Sequence, residues 1–217
     1  MAIRKPRVAG SFYPGTAREI RDTVQGCLEQ VPVEVSGTVY GGIVPHAGWV
    51  YSGQTALRVF KALALQERLQ GEQPDTVLFF GAVHTPGVPG PSLYGSGMWR
   101  TPLGDVAIDG DLARELLAAD ARFVDRPSAH ADEHSIEVQV PFVQVLFPQA
   151  RILPVAMPPH SDAQALGAVT AAVIQSSGKR VAVIGSTDLT HYGPRYGIAP
   201  AGTGEAGLAW AHENDRR

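Results

Sequence analysis

Four apolar runs of this chain each lead into a histidine. Residues 39–44 run into Pro45-His46, and residues 76–80 into Gly81-Ala82-Val83-His84. Residues 151–156 run into Met157-Pro158-Pro159-His160, and residues 180–184 into Gly185-Ser186-Thr187-Asp188-Leu189-Thr190-His191. Neutral imidazole is the commonest protein metal ligand, and it titrates near neutral pH. Histidines gathered from separate runs therefore suit a metal centre or an acid–base site. Open α/β sheets carry their sites at the carboxyl ends of strands, which is where all four histidines fall if the runs are strands.

Each candidate has a functional and a purely structural reading. His46 sits in Pro45-His46-Ala47-Gly48-Trp49-Val50-Tyr51-Ser52-Gly53. It is either a metal ligand or acid–base imidazole, or a histidine hydrogen-bonded to loop carbonyls; Gly48 and Gly53 imply close backbone packing and favour the former. His84 follows the second run. The first two strands of such a unit commonly lie adjacent, which would bring His46 and His84 together. Two histidines are only part of a site, because a catalytic zinc or non-haem iron centre needs a third protein ligand and an open position. Asp188 and His191, three residues apart, can face the same way on a turn. Asp188 would ligate metal or orient His191, and His191 would move protons; the alternative is an Asx-turn at a helix start.

Asp132-Glu133-His134-Ser135-Ile136-Glu137 is a dense polar cluster opening a helix. Ser135 as N-cap, with Asp132 and Glu133 favoured by the helix dipole, explains the carboxylates without chemistry. His134 and Glu137, three apart on one face, could themselves ligate a metal or orient its ligands. His160 reads as a loop residue, and His130 and His212 carry no contextual signal.

The elements that must position these groups follow from periodicity. Helices are expected over residues 16–30 with Thr16 as cap, 54–69, 111–119, 136–146 and about 162–176. Strands are expected over 39–44, 76–80, 105–108, 151–156 and 180–184. Residues 81–102 read as a long glycine- and proline-rich loop. The alternation predicts a single α/β domain with a mostly parallel central sheet and helices on both faces.

The 217 residues are 44% hydrophobic and 18% charged, with net charge −3 and a pI near 6.1. This argues against nucleic-acid binding. The lone cysteine, Cys27, reads as a buried structural thiol and excludes a cysteine zinc cluster. There is no apolar leader stretch and no membrane-length apolar run, so the expectation is a cytoplasmic protein. GxGxxG, GxxxxGK[ST] and GxSxG patterns are absent.

Val8-Ala9-Gly10-Ser11-Phe12-Tyr13-Pro14, Pro45-His46-Ala47-Gly48-Trp49 with Ser52-Gly53, Asp132-Glu133-His134-Ser135-Ile136-Glu137 and Ser186-Thr187-Asp188-Leu189-Thr190-His191-Tyr192-Gly193 occur in the order of the Memo family. The chain resembles that family, whose bacterial members are called AmmeMemoRadiSam system protein B. The resemblance implies a fold like that of the class III extradiol dioxygenases, which use non-haem iron(II). It also implies a divalent metal, iron foremost and copper or zinc next, with His46 and His84 as ligands. His191 then takes the acid–base role with Asp188 beside it. His134, Glu137 and Thr85 are expected to support the ligands; Thr85 stands where the family usually has a second, adjacent histidine. The family's third ligand, a cysteine, lies beyond residue 217. Residues 202–217 start like a helix and then stop, so the C-terminal part is expected to be missing. The implied activity is redox or oxygenase chemistry on a small molecule. A second reading is a non-catalytic metal- or peptide-binding partner of radical-SAM and AMMECR-type proteins, and a third is a metal-dependent hydrolase.

Overall fold

Short runs without a polar face form the central strands of the main sheet, and longer runs with apolar residues three or four apart form the helices. The computed structural model describes the backbone of residues 2–70, 73–160 and 162–216, and their side chains except those of 67–70. The fold divides into two compact units, Met1–Thr187 and Asp188–Arg217. The first contains β1 (Ile3–Arg4), α1 (Ala17–Gln30), β2 (Gly41–Val44), α2 (Trp49–Gln70), β3 (Thr76–Gly81), β4 (Ser92–Leu93), β5 (Met98–Thr101), β6 (Gly104–Ala107), α3 (Gly110–Ala119), β7 (Val124–Asp125), α4 (Val140–Leu146), β8 (Arg151–Ala156), α5 (Ala163–Ser177) and β9 (Val181–Ser186). The second holds α6 (Glu205–Asn214).

The main sheet has the order β2-β9-β3-β8-β4-β7. The β2–β9, β9–β3 and β3–β8 pairs are parallel, and β4 runs antiparallel to β8. β1, β5 and β6 form a separate three-stranded sheet. In the main sheet α2 carries the chain from β2 past β9 to β3, whereas α5 carries it from β8 back past β3 to β9. Right-handed crossovers in opposite directions put these helices on opposite faces. Accordingly α1, α2 and α4 pack together, and α3 packs on α5. The mostly parallel α/β architecture expected from the sequence is present.

The central strands are buried on both faces: Leu78 and Phe79 of β3, Leu153 and Val155 of β8, and Ile184 of β9 have no exposed surface. Their core continues into Leu57 and Phe60 of α2 and Phe142 and Val143 of α4. Trp49, at the start of α2, stacks on Phe142 with ring centroids 4.2 Å apart, and its indole N–H donates to Val138 O at 2.8 Å. The helix begins five residues earlier than the periodicity predicts. Gly53, one turn on, leaves room for the Trp49 side chain, which a Cβ there would approach at 3.1 Å.

Three further expectations change. β2 and β3 are not neighbours, because the returning α5 crossover inserts β9 between them. Residues 81–102 are not one loop, since β4 pairs with β8 and β5 pairs with β1 and β6 inside that stretch. Residues 136–146 are not one helix either. A 3-10 turn, Glu137–Gln139, precedes α4, whose early Pro141 needs no helical hydrogen bond in the first turn. Ser135 does not cap it; its hydroxyl donates to Ala82 O at 2.7 Å. Thr16 does cap α1, accepting from Glu19 N at 3.3 Å. Among the described residues no helix is long and apolar enough to cross a membrane.

Candidate metal centre

β2 ends two residues before His46, β3 ends three residues before His84, and His134 lies in the segment before the 3-10 turn. The end of β3 presses on that segment, where a Cβ at Gly81 would meet Ile136 Cγ1 at 2.3 Å and Ser135 Oγ at 2.7 Å. The result is a cluster of three imidazoles. Ring centroids are 5.1 Å apart for His46 and His84, 5.7 Å for His46 and His134, and 4.5 Å for His84 and His134. One nitrogen from each ring lies within 4.8 Å of the other two. His46 is buried, His134 half-buried and His84 exposed, so the cluster has one wall in the core and one side accessible.

Glu133 braces this cluster. Its side chain is 2% exposed. It accepts hydrogen bonds from His84 N (2.6 Å), His84 Nδ1 (2.9 Å), His134 N (2.8 Å) and Ser135 N (2.9 Å). Burial pushes the carboxyl up, but the hydrogen bonds from the His84 amide and ring and from the Ser135 amide outweigh it and hold the group down at about 2. An ionised carboxylate only accepts, so Nδ1 of His84 carries the proton and Nε2 keeps its lone pair. A related arrangement holds His46. The Ser186 hydroxyl donates to Ser135 O at 2.6 Å and so turns a lone pair toward His46 Nδ1, 3.4 Å away. Neutral imidazole nitrogens at this spacing are donors for zinc, copper, iron or nickel. Three of them leave room for an exchangeable fourth position.

The buried Arg4 fixes the polar segment from below. Its Nε donates to His130 O (2.7 Å), its Nη2 to Glu133 O (2.6 Å) and its Nη1 to Glu137 Oε2 (2.7 Å). Its guanidinium lies 4.2 Å from the Trp99 ring centroid. Glu137 also accepts from Arg7 N, Val8 N and the Tyr13 hydroxyl. Burial and the Glu137 charge push the Tyr13 hydroxyl far above the ordinary range. The segment tethered in this way sets the Phe12 ring edge-on to His134 at 4.8 Å.

Residues 4–215 match a family model described as Memo-like protein. The chain belongs to the Memo family. It is similar to the MEMO1 family protein of Methanococcoides burtonii, 38% identical over 196 residues, covering 89% of this chain and 70% of the relative. It is likewise similar to that of Pyrobaculum arsenaticum (36% over 205 residues; 89% and 70%) and that of Methanopyrus kandleri (37% over 202 residues; 88% and 70%).

In this Memo-family chain the structure brings His46 and His84 together and adds His134, for which the sequence leaves a ligating and a supporting role open. Three imidazoles thus meet where two were expected with a third ligand from elsewhere. Glu137, whose hydrogen bonds go to Arg4, Arg7, Val8 and Tyr13, anchors the N-terminal segment. The Thr85 hydroxyl is buried and has no hydrogen-bond partner among the described residues. Within the second unit, His191 Nε2 lies 3.3 Å from Asp188 Oδ2 and its ring is 4.8 Å from that of Tyr196. Asp215 holds the intervening Thr190 through its amide (2.8 Å) and hydroxyl (2.5 Å).

His160 is a loop residue, its Nδ1 accepting from Asp162 N at 3.1 Å. His130 is a core residue with no exposed surface, and its Nε2 donates to Ser92 O at 2.8 Å. Cys27 is a free, half-buried thiol. Sequence reasoning missed Glu133 and Ser186 as braces and Arg4 as an anchor. The one available signal is that Glu133 sits beside His134, a placement that a helix dipole explains equally well.

Proposed function

We propose that this Memo-family chain binds one divalent transition-metal ion through His46, His84 and His134. The convergence of one nitrogen from each imidazole within 4.8 Å supports this reading. The Memo resemblance makes iron the first candidate, and the all-imidazole donor set keeps copper and zinc in competition. When bound, the ion would supply a Lewis acid and, for iron or copper, a one-electron couple. Around it Glu133 and Ser186 hold protons on Nδ1 of His84 and His46. The resemblance assigns His191 the acid–base role, with Asp188 orienting its ring, and implies redox or oxygenase chemistry on a small oxygen-bearing molecule in the cytoplasm. Anaerobic titration with iron(II), followed by oxygen and a panel of catechols, tests this. The expected result is one ion per chain and consumption of at least one catechol; metal binding without turnover across the panel would remove the oxygenase part.

One observation favours a second reading, a non-catalytic partner of radical-SAM and AMMECR-type proteins. Tyr40 (76%), Ile43 (71%), Val50 (94%) and Tyr51 (88%) are large, exposed and close together in sequence around the edge strand β2. Exposed apolar surface of this kind suits protein contacts. Co-purification with such partners, lost on Ile43→Asp, would support it.

A further inference from the structure

We propose that Glu133 is a positioning residue that sets the tautomer of two imidazoles of the centre at once, those of His84 and His134; this rests on the metal-centre reading above. A single oxygen, Oε1, lies 2.9 Å from His84 Nδ1 and 3.6 Å from His134 Nδ1. The two rings stand side by side, 4.5 Å apart and inclined at 33°. The hydrogen bond keeps the proton of His84 on Nδ1, while at 3.6 Å, beyond hydrogen-bond reach, the same negative charge favours the Nδ1–H tautomer of His134; both Nε2 lone pairs are then left for an ion.

The same carboxylate also fixes where the rings stand. It accepts the amides of His84, His134 and Ser135, and so ties the end of β3 to the segment carrying His134. Its own backbone carbonyl is held by Arg4 Nη2 at 2.6 Å. Its acidic neighbours are committed elsewhere: Asp132 pairs with Arg7 at 2.9 Å and Glu137 with Arg4 at 2.7 Å. Placement and protonation of two ligands therefore depend on one side chain.

The test uses Glu133→Gln in the whole chain, with cobalt(II) alone as probe and nitrogen NMR of the metal-free histidine rings. Gln keeps the shape and can still accept at one atom, but it loses the charge and turns an N–H toward the backbone donors. The expected result is a mixture of tautomers at His84 and His134 in metal-free protein. Cobalt(II) affinity should fall about 10- to 100-fold, as is usual when such partners are removed, with stoichiometry still one per chain. Wild-type tautomers and wild-type affinity in Glu133→Gln would overturn the proposal. If that variant does not fold, Glu133→Asp reads the same quantities. It keeps the charge at shorter reach, so intermediate affinity with Nδ1–H retained supports the proposal, and unchanged affinity opposes it. If the wild type binds no cobalt(II), the metal-centre reading fails, while the tautomers of the metal-free protein still decide whether Glu133 controls them.

Discussion

Nδ1 of His84 lies 2.9 Å from Oε1 of Glu133, and the other oxygen of the same carboxylate accepts the His84 amide at 2.6 Å. The ring at the end of β3 is therefore fixed in position and in protonation by one neighbour. His84 is nevertheless the most exposed of the three imidazoles. His84→Ala should abolish high-affinity cobalt(II) binding and cost about 1–3 kcal/mol of stability, since the buried Glu133 carboxylate loses one donor but keeps its three backbone amides. Calorimetric titration alongside thermal melting checks both halves.

Gly81 offers a route to the centre that alters no polar group. A methyl group there would collide with Ile136 and Ser135 and push the His134 segment away from β3. Gly81→Ala is expected to cost about 1–3 kcal/mol, typical of overpacking, and to weaken metal binding more than an equally destabilising substitution in α5. A series of melting points and affinities would show whether the two losses travel together.

Removing Arg4 should destabilise strongly. Arg4→Ala leaves the Glu137 carboxylate, 1% exposed, without its cation. An uncompensated buried charge typically costs about 3–5 kcal/mol. Arg4→Lys should recover only part of this, because a single ammonium cannot reach His130 O, Glu133 O and Glu137 as the guanidinium fork does. Urea denaturation of the three proteins is the measurement.

Acid should destabilise the fold in two windows. Burial lowers His130 from 6.5 to about 4. The unfolded chain therefore takes up the proton first, and stability that is full above pH 6.5 declines as pH falls toward 4. By linkage this amounts to about 3 kcal/mol. Glu133, held at about 2 against an ordinary 4.5, contributes stability present above pH 4.5 and lost as pH falls toward 2. Melting temperature measured from pH 7 to pH 4 should fall in the wild type, and much less in His130→Gln, which cannot gain the buried charge.

Much of the scaffold was legible because its strands are short apolar runs between punctuating residues. β8 (Arg151–Ala156) coincides with its run, and α3 and α5 lie within one residue of their expected bounds. Strand order was not legible. Nothing in the periodicity of residues 163–177 says that the chain returns past β3, so the insertion of β9 between β2 and β3 was hidden. His46 and His84 were visible as strand-end residues. The place of His134 was not, because Ser135, Asp132 and Glu133 imitate a helix start, and only the close packing of Gly81 against Ser135 and Ile136 carries that segment to the other two rings. His160, at the end of an equally good strand, fails as a ligand because Pro158-Pro159 leads into a loop where its ring serves the Asp162 amide.

The proposed metal centre stands or falls with His134 as the third imidazole beside His46 and His84. Elemental analysis of the purified wild type and of His134→Ala, each reconstituted anaerobically with iron(II) and desalted, tests it most directly. The expected result is about one iron per chain in the wild type and a near-complete loss in His134→Ala, with the variant still folded by circular dichroism. Retention of wild-type iron content by folded His134→Ala would contradict it.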